Sequence, residues 1–531
     1  MSNQLGNNKI PIQITIGAIG HRELVDERNL VRRIGAAIEK VRQLVPVLPS
    51  TPISFIASSA LAEGADRLIA QEVLKVTGSM LYAVIPMDKG EYKKDFKSEQ
   101  SRAEFEHLLS RAARITQILP KADRIDAYEA AGREVVDTSD IIIAIWDGKA
   151  SAGKGGTADI VDYARKKGCP ILWINPEEAG DFTSELGQGL PTEIWQDIER
   201  YNCERIITKK LERRFEEEYG ILTQHAHNAG LEVKNAEPVF SFFLRHYLYA
   251  DLLAMHYQQL YYRVGTGVFI LAAAAVLLAA FQVLFFSDYP RILIAEVLLL
   301  LSALFAVWLG RRRRWHTKWI DYRFLAERFR SALFIAVANL DITAPQLSRG
   351  VRLNVPPNAW ILSAFYYVWN NRPRITDSHN QTLQPLKEFV QKALVEDQIR
   401  YQHGISQRCH RRERVLYYII GIIFSLTLVA VVLHVADLFD HQYGIIMTYL
   451  AIGLPAIASS IAAIRTYREY SRNSARSSQM ETELRRIAQQ VPGIASYEDF
   501  ARWIKEIEQI MLHENEDWRV AVGFHNLEIS V

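Results

Sequence analysis

Four stretches hold most of the residues whose types and spacing suit ligand chemistry. They are Gly17-Ala18-Ile19-Gly20-His21-Arg22, Ser58-Ser59-Ala60-Leu61-Ala62-Glu63-Gly64-Ala65-Asp66-Arg67, Asp147-Gly148-Lys149 and Gly153-Lys154-Gly155-Gly156-Thr157-Ala158-Asp159. Glycine permits close backbone approach and positive φ. Free N–H groups at a helix start favour a phosphate, and Arg22 or Lys154 adds charge. The pattern points to a phosphate or nucleotide held by Gly17, Gly20, His21, Arg22, Ser58, Ser59, Glu63, Gly64, Asp66, Arg67, Asp147, Lys154, Gly155, Gly156, Thr157 and Asp159. Ordinary strand-to-helix turns, with polar residues capping helices, have the same look. No CxxC or HExxH occurs and the 14 histidines are dispersed, so no metal site is expected. No nucleophilic triad can be argued, and no catalytic residue is assigned.

These turns need a scaffold. Short, apolar, β-branched runs at 10–17, 53–58, 80–86, 141–146 and 170–174 read as strands. Helical patterns lie at 29–44, 63–77, 98–114, 127–138 and 157–167. The alternation predicts an α/β, Rossmann-like domain with a parallel sheet covered on both faces. Ligands of such sheets bind at the C-terminal strand ends, where these turns fall.

The turns carry a resemblance. GAIGHR, SSALAEGADR, YEAAGREVVDTSDIIIAIWDG and GKGGTADIVDYARKKGCPILWI resemble the SLOG superfamily over about 165 residues. That superfamily has a Rossmann-like fold. It includes LOG phosphoribohydrolases and nucleotide sensors of prokaryotic immunity systems. The resemblance implies a nucleotide ligand, ADP-ribose-like or another signal, and no further required cofactor. One departure bears on activity. LOG enzymes carry PGGxGTxxE, and the position of that Glu holds Ile160, which cannot act as acid, base or ion-pair partner. This favours a sensor over a hydrolase. In an enzymatic alternative, with an N-glycosidic or phosphate bond cleaved, Glu63, Asp66 or Asp159 would serve as base.

The composition is balanced over 531 residues: 62 basic against 60 acidic, 49% apolar and 23% charged. This excludes a disordered chain and a strongly basic nucleic-acid binder, so no nucleic-acid partner is expected. Three cysteines cannot build a disulfide framework, so a reducing compartment is expected. The opening MSNQLGNNKIPIQ lacks the apolar core of a cleaved secretory signal.

The distribution is not even. Residues 264–286, 415–433 and 444–464 carry no charge, and 292–309 carries only Glu296. As helices these runs are roughly 27–35 Å long, close to the ~30 Å of a bilayer's hydrocarbon. Buried helices of a soluble core would usually keep a polar stripe, which these lack. The connections 287–291 and 434–443 are short, so the runs form two hairpins. Arg311–Arg314, RRER at 411–414 and RTYREYSR at 465–472 flank them on the other side. The excess of basic residues there makes those flanks cytoplasmic, with both termini inside, in a multi-pass protein of the cell inner membrane. Glu296 would either face a pore or reach water near the outer interface.

The stretch from Glu396 to about Val491 resembles SLATT, a two-span effector family associated with SLOG domains. The likeness rests on DQIRYQHGISQRCHRRER and LPAIASSIAAIRTYREYSRNSARSSQMETELRRIA. HYQQLYYR and RRRRWHTKWIDYRFLAERFRSALF repeat the plan weakly around the first hairpin. The resemblance implies a homo-oligomer that opens a pore or disrupts the membrane in anti-phage defence. The expected organisation is a nucleotide-binding domain at 1–180, linker and helices at 181–263 and a first hairpin at 264–340. An irregular segment at 341–395 and a second hairpin with terminal helices at 396–531 follow.

Overall fold

In the computed structural model the described residues are 9–46, 48–121, 123–150, 155–178, 180–187, 190–340, 359–375, 383–436 and 441–523, the side chains of 441–442 and 512–523 excepted. They fall into two compact units. One comprises Met1–Arg205 with Thr343–Arg372, the other Ile206–Ile342 with Pro373–Val531.

The first unit is Rossmann-like. Strands β1 (Ile12–Gly20), β2 (Ile53–Ser59), β3 (Met80–Ile85), β4 (Arg114–Gln117), β5 (Ile141–Ile145), β6 (Ile171–Ile174) and β7 (Thr183–Glu185) form one sheet of order β4-β3-β2-β1-β5-β6-β7. All neighbours run parallel except β6 and β7. The connecting helices are α1 (Glu27–Leu44), α2 (Ala65–Leu74), α3 (Lys89–Lys93), α4 (Glu99–Ser110), α5 (Arg124–Thr138) and α6 (Thr157–Lys166), with α7 (Thr192–Asn202) after β7. Every residue of β5, IIIAI, is buried, as a central strand covered on both faces requires. The chain lays β2, β3 and β4 to one side of β1, then returns to place β5 on the other. Gly20 of β1 is paired with Ile145 of β5. A crevice opens at such a reversal because the flanking connections leave in opposite directions.

Several boundaries differ from the sequence reading. The strand expected at 10–17 continues to Gly20, and β2 continues to Ser59. Gly17, Ser58 and Ser59 are therefore strand residues rather than turn residues. Arg114, read as the end of a helix, and 115–117, assigned to no element, form β4, whose side chains are alternately half-buried and exposed. Thr183–Glu185, read as linker, is β7. Both are polar edge strands, which lack the apolar signal of central ones. The stretch 341–395 is not irregular throughout: Ala359–Asn370 is a helix, α12, buried on most of its surface. It starts just past Pro356-Pro357, and a proline pair stops a helix before it without preventing one after it. Trp360 packs on Tyr201 at 5.7 Å, and Asn370 donates to the Tyr82 hydroxyl at 2.8 Å.

The second unit is helical: α8 (Thr208–Asn228), α9 (Val233–Phe285), α10 (Leu293–Arg312), α11 (Trp315–Val337), α13 (Leu383–Val390), α14 (Asp397–Val435), α15 (His441–Tyr467), α16 (Tyr470–Ala488) and α17 (Tyr497–Gly523). A π-helical turn, Gln391–Glu396, joins α13 to α14. Four of its helical stretches are long and apolar enough to cross a membrane. Within them Leu298, Leu301, Phe305, Ile422, Phe424 and Leu428 are exposed. Such surfaces suit a lipid environment rather than water. Helices α9 and α14 extend well past their apolar runs. Phe240, Phe243 and Leu248 of α9, and Phe324, Phe329 and Leu333 of α11, are buried there. Each hairpin ends in the same device: Arg314 (φ 52°) breaks α10 from α11, and Glu469 (φ 48°) breaks α15 from α16. Positive φ at a non-glycine residue costs about 1 kcal/mol or more, so both turns are held by their surroundings. Trp503 of α17 is buried and donates its indole N–H to the Ile487 carbonyl at 3.1 Å.

Candidate functional site

At the reversal of strand order lies a cleft of about 690 Å³. Gly20, His21, Arg22, Asp66, Asp147, Gly155, Gly156 and Thr157 line it, with Tyr92, Tyr128, Trp146, Lys149 and Ile160. Half of the candidate residues thus meet at one place.

Backbone contacts join the turns. The His21 N–H donates to the Ile145 carbonyl at 3.1 Å, and the Ala65 N–H donates to the His21 carbonyl at 3.0 Å. A Cβ on Gly20 would lie 2.5 Å from both Ala65 Cβ and the Ile145 oxygen. Gly64 has φ +83°, and a Cβ there would run into the carbonyls of His21 and Arg22. Side chains at either position would push the first turn off α2 and β5.

Two carboxyl groups in this cleft sit in opposite environments. Asp66 is 7% exposed. Burial pushes its carboxyl up to about 7, against hydrogen bonds from the backbone N–H groups of Ala62 and Gly20 and the nearby charges of Arg22 and Arg67. Asp147 is held down to about 2, first by the Lys149 backbone N–H at 3.1 Å, then by the Lys149 ammonium and His21. His21 Nε2 lies 3.1 Å from Asp147 Oδ1 and 3.2 Å from the Asp147 backbone nitrogen. Lys149 Nζ also reaches Glu177 at 2.7 Å.

The last turn opens α6. Gly155 adopts φ +80° and donates its N–H to Asp159 Oδ2 at 2.9 Å. No side chain caps the helix at Gly156. Among the described residues no side chain takes up its first N–H groups, which suit an anion. Ile160, where LOG enzymes hold Glu, is 4% exposed and packs against Gly132.

The other candidates lie behind the cleft or outside the described residues. Gly17 packs against Ser139 and Ile142. Ser58 Oγ is 3.2 Å from Thr138 Oγ1, and Ser59 Oγ donates to the Asp66 carbonyl at 3.1 Å. Glu63 accepts from the Lys97 N–H at 3.2 Å and from the Ser101 hydroxyl. Arg67 is buried, donating to the Leu61 carbonyl at 3.0 Å and to Glu104 at 3.0 Å, with its guanidinium 4.4 Å over Phe96. Lys154 falls outside the described residues.

Two lining groups, Tyr128 and Trp146, escaped the sequence reading as ligand contacts. Tyr128 hydrogen-bonds Asp95, which also pairs with Arg124, and Arg22 lies 5.4 Å over the Tyr128 ring. Trp146 packs on Trp173 at 5.4 Å. Lys149, in the Asp147-Gly148-Lys149 turn, also lines the cleft. Tyr128 sits mid-helix in YEAAGREVVDT, where no turn marks it. Among the described residues no group of three His, Cys, Asp or Glu is arranged to hold a metal ion.

In the second unit the two hairpins pack through α9 and α15. Ser460 Oγ donates to the Phe269 carbonyl at 2.8 Å, and the Tyr467 hydroxyl donates to the Tyr261 carbonyl at 2.9 Å. Small residues let these helices approach: a Cβ on Gly265 would run into the Tyr467 ring, and one on Gly453 would lie 2.7 Å from Leu277 Cδ2.

No curated protein matches the chain. Residues 392–518, which cover α14 to most of α17, match the family described as SMODS and SLOG-associating 2TM effector domain 1, and no SLOG match accompanies it in the first unit. The second hairpin with its flanking helices is therefore similar to a two-span effector domain, in a multi-pass membrane protein with a Rossmann-like N-terminal unit.

Proposed function

We propose that the chain is a nucleotide-responsive membrane effector of prokaryotic anti-phage defence. The α/β unit binds a signal nucleotide, ADP-ribose-like or related. Its phosphates lie at the α6 N-terminus near Arg22 and His21, and its base lies toward Tyr128 and Trp146. Binding favours one state of a homo-oligomer's four-span units, and that state opens a pore or disrupts the inner membrane. The observation that carries this reading is the cleft at the strand-order reversal, in one chain with a match to an effector domain. Ile160 in the cleft wall supports sensing over LOG-type hydrolysis. The test is dye release from liposomes holding the full chain, with ADP-ribose, NAD and cyclic nucleotides added in turn. Release that ignores every nucleotide rejects the reading.

A second reading rests on Asp66 and Asp147. Two carboxyls of one cleft with separated pKa values are the arrangement general acid–base chemistry uses. A membrane-tethered enzyme would then cleave the nucleotide. Incubation with NAD, ADP-ribose and nucleoside monophosphates, followed by chromatography, separates the two. Turnover abolished by Asp66→Asn would favour the enzyme.

A further inference from the structure

The second unit holds its own cavity, of about 760 Å³, lined by seven arginines and four carboxylates. The charges are not evenly matched along it. In one part Arg323 pairs with Asp251 at 2.6 Å and with Glu327 at 2.5 Å, and Arg330 pairs with Glu327. Glu218 and Asp397 pair with Arg214 at 3.1 Å and Arg400 at 3.3 Å. All four carboxylates are thereby engaged.

The other end is different. Twelve residues, about 18 Å of helix, separate Asp251 from Arg263 on α9. Arg263 immediately precedes the first apolar run, Arg412 lies just before the third and Arg468 just after the fourth. All three line the cavity. None of the three pairs with a carboxylate among the described residues. Arg468 donates to Thr266 Oγ1 at 3.2 Å and lies 4.6 Å over the Tyr262 ring, and its buried Nε has no acceptor. Arg412 lies 6.0 Å over the Tyr470 ring.

Helices α9 and α14 and the turn between α15 and α16 thus bring guanidinium groups with no carboxylate partner among the described residues into one cavity, at the level where apolar sequence begins. A phosphate answers this arrangement, because guanidinium donors match its oxygens in pairs and its charge offsets theirs. We propose that this end of the cavity binds the phosphate of an anionic lipid headgroup, with Arg263, Arg412 and Arg468 as ligands. Position favours a lipid over a soluble phosphate: Val415 and Ile419, about one and two turns past Arg412 on α14, are apolar and exposed and suit acyl chains.

The test uses the full chain in a zwitterionic detergent. Thermal shift and native mass spectrometry are recorded with phosphatidylglycerol, phosphatidylcholine or inorganic pyrophosphate added. Arg412→Gln, Arg468→Gln and, as a distant control, Arg311→Gln are compared with the parent. Monodispersity and an unshifted Tm without additive show that each variant is folded. Phosphatidylglycerol is expected to bind and stabilise the parent and the control. Either cavity variant should weaken that binding about tenfold, as loss of one charged hydrogen bond does. Pyrophosphate binding with the same dependence would keep the phosphate site and make its source soluble. Binding of phosphatidylglycerol that matches phosphatidylcholine, or that ignores both cavity variants, overturns the proposal.

Discussion

His21 Nε2 stands 3.1 Å from Asp147 Oδ1 and so ties together the ends of β1 and β5, the two strands between which the sheet reverses. Both residues line the cleft. Asp147→Asn removes the charge and keeps the shape. Nucleotide affinity measured by calorimetry is expected to change several-fold with Tm nearly unchanged, since solvent-exposed pairs contribute little to stability. His21→Ala should lower affinity about tenfold. Equal affinities for parent and both variants would remove this pair from the site.

Asp66 gives the cleft a pH dependence. Its folded pKa is raised, to about 7. The stability it contributes is present in full below its unfolded value and is lost as pH rises through about 7. Asp66→Asn lacks that loss, so its Tm relative to the parent should climb from about pH 4 to about pH 8. Ionisation also places a negative charge beside the ligand. Affinity for ADP-ribose should fall about tenfold between roughly pH 6 and pH 8 in the parent and stay level in Asp66→Asn.

Gly64 holds the first turn against α2. Gly64→Ala meets both a positive φ and the carbonyls of His21 and Arg22. A loss of about 2–4 kcal/mol in denaturant unfolding of the α/β unit is expected, with weaker nucleotide binding.

Gly265 sets the approach of α9 to α15. Gly265→Val forces the Tyr467 ring away and breaks its hydrogen bond to Tyr261. The full chain in detergent should lose about 1–3 kcal/mol, read as a lower Tm. Gly267→Val, where a Cβ meets nothing, should leave Tm unchanged.

The flanks predict topology. In intact cells a cysteine placed at Ser287, in the first hairpin tip, should react with an impermeant maleimide. One placed at Thr317, past the Arg311–Arg314 cluster, should react only after lysis. The opposite pattern would invert the orientation.

Much of the architecture is legible in the residues themselves. Uncharged runs of membrane length stand out whatever surrounds them, because lipid selects on composition over a whole turn-by-turn span. The buried strands IQITIGAIG and IIIAI announce themselves for the same reason. Gly64 in its turn and Gly20 at the end of β1 are visible in the sequence because the backbone demands glycine at both. Sequence could not sort the polar residues of those turns. Ser58, Glu63 and Arg67 carry the same chemistry as His21 and Asp66, yet they face Thr138, Ser101 and Glu104. Strand ends shifted by one to three residues decide which side chains reach the cleft.

Tertiary structure alone decided the rest. It brought Tyr128 from mid-α5 to the cleft wall, set the helix Ala359–Asn370 in the α/β unit, and raised Asp66 by burial while hydrogen bonds lowered Asp147. It also collected Arg263 of α9, Arg412 of α14 and Arg468 of the turn between α15 and α16 around one cavity. Composition and local pattern fix what each segment can be. Burial, pairing and charge neutralisation depend on which segments meet, and only the packed chain determines that.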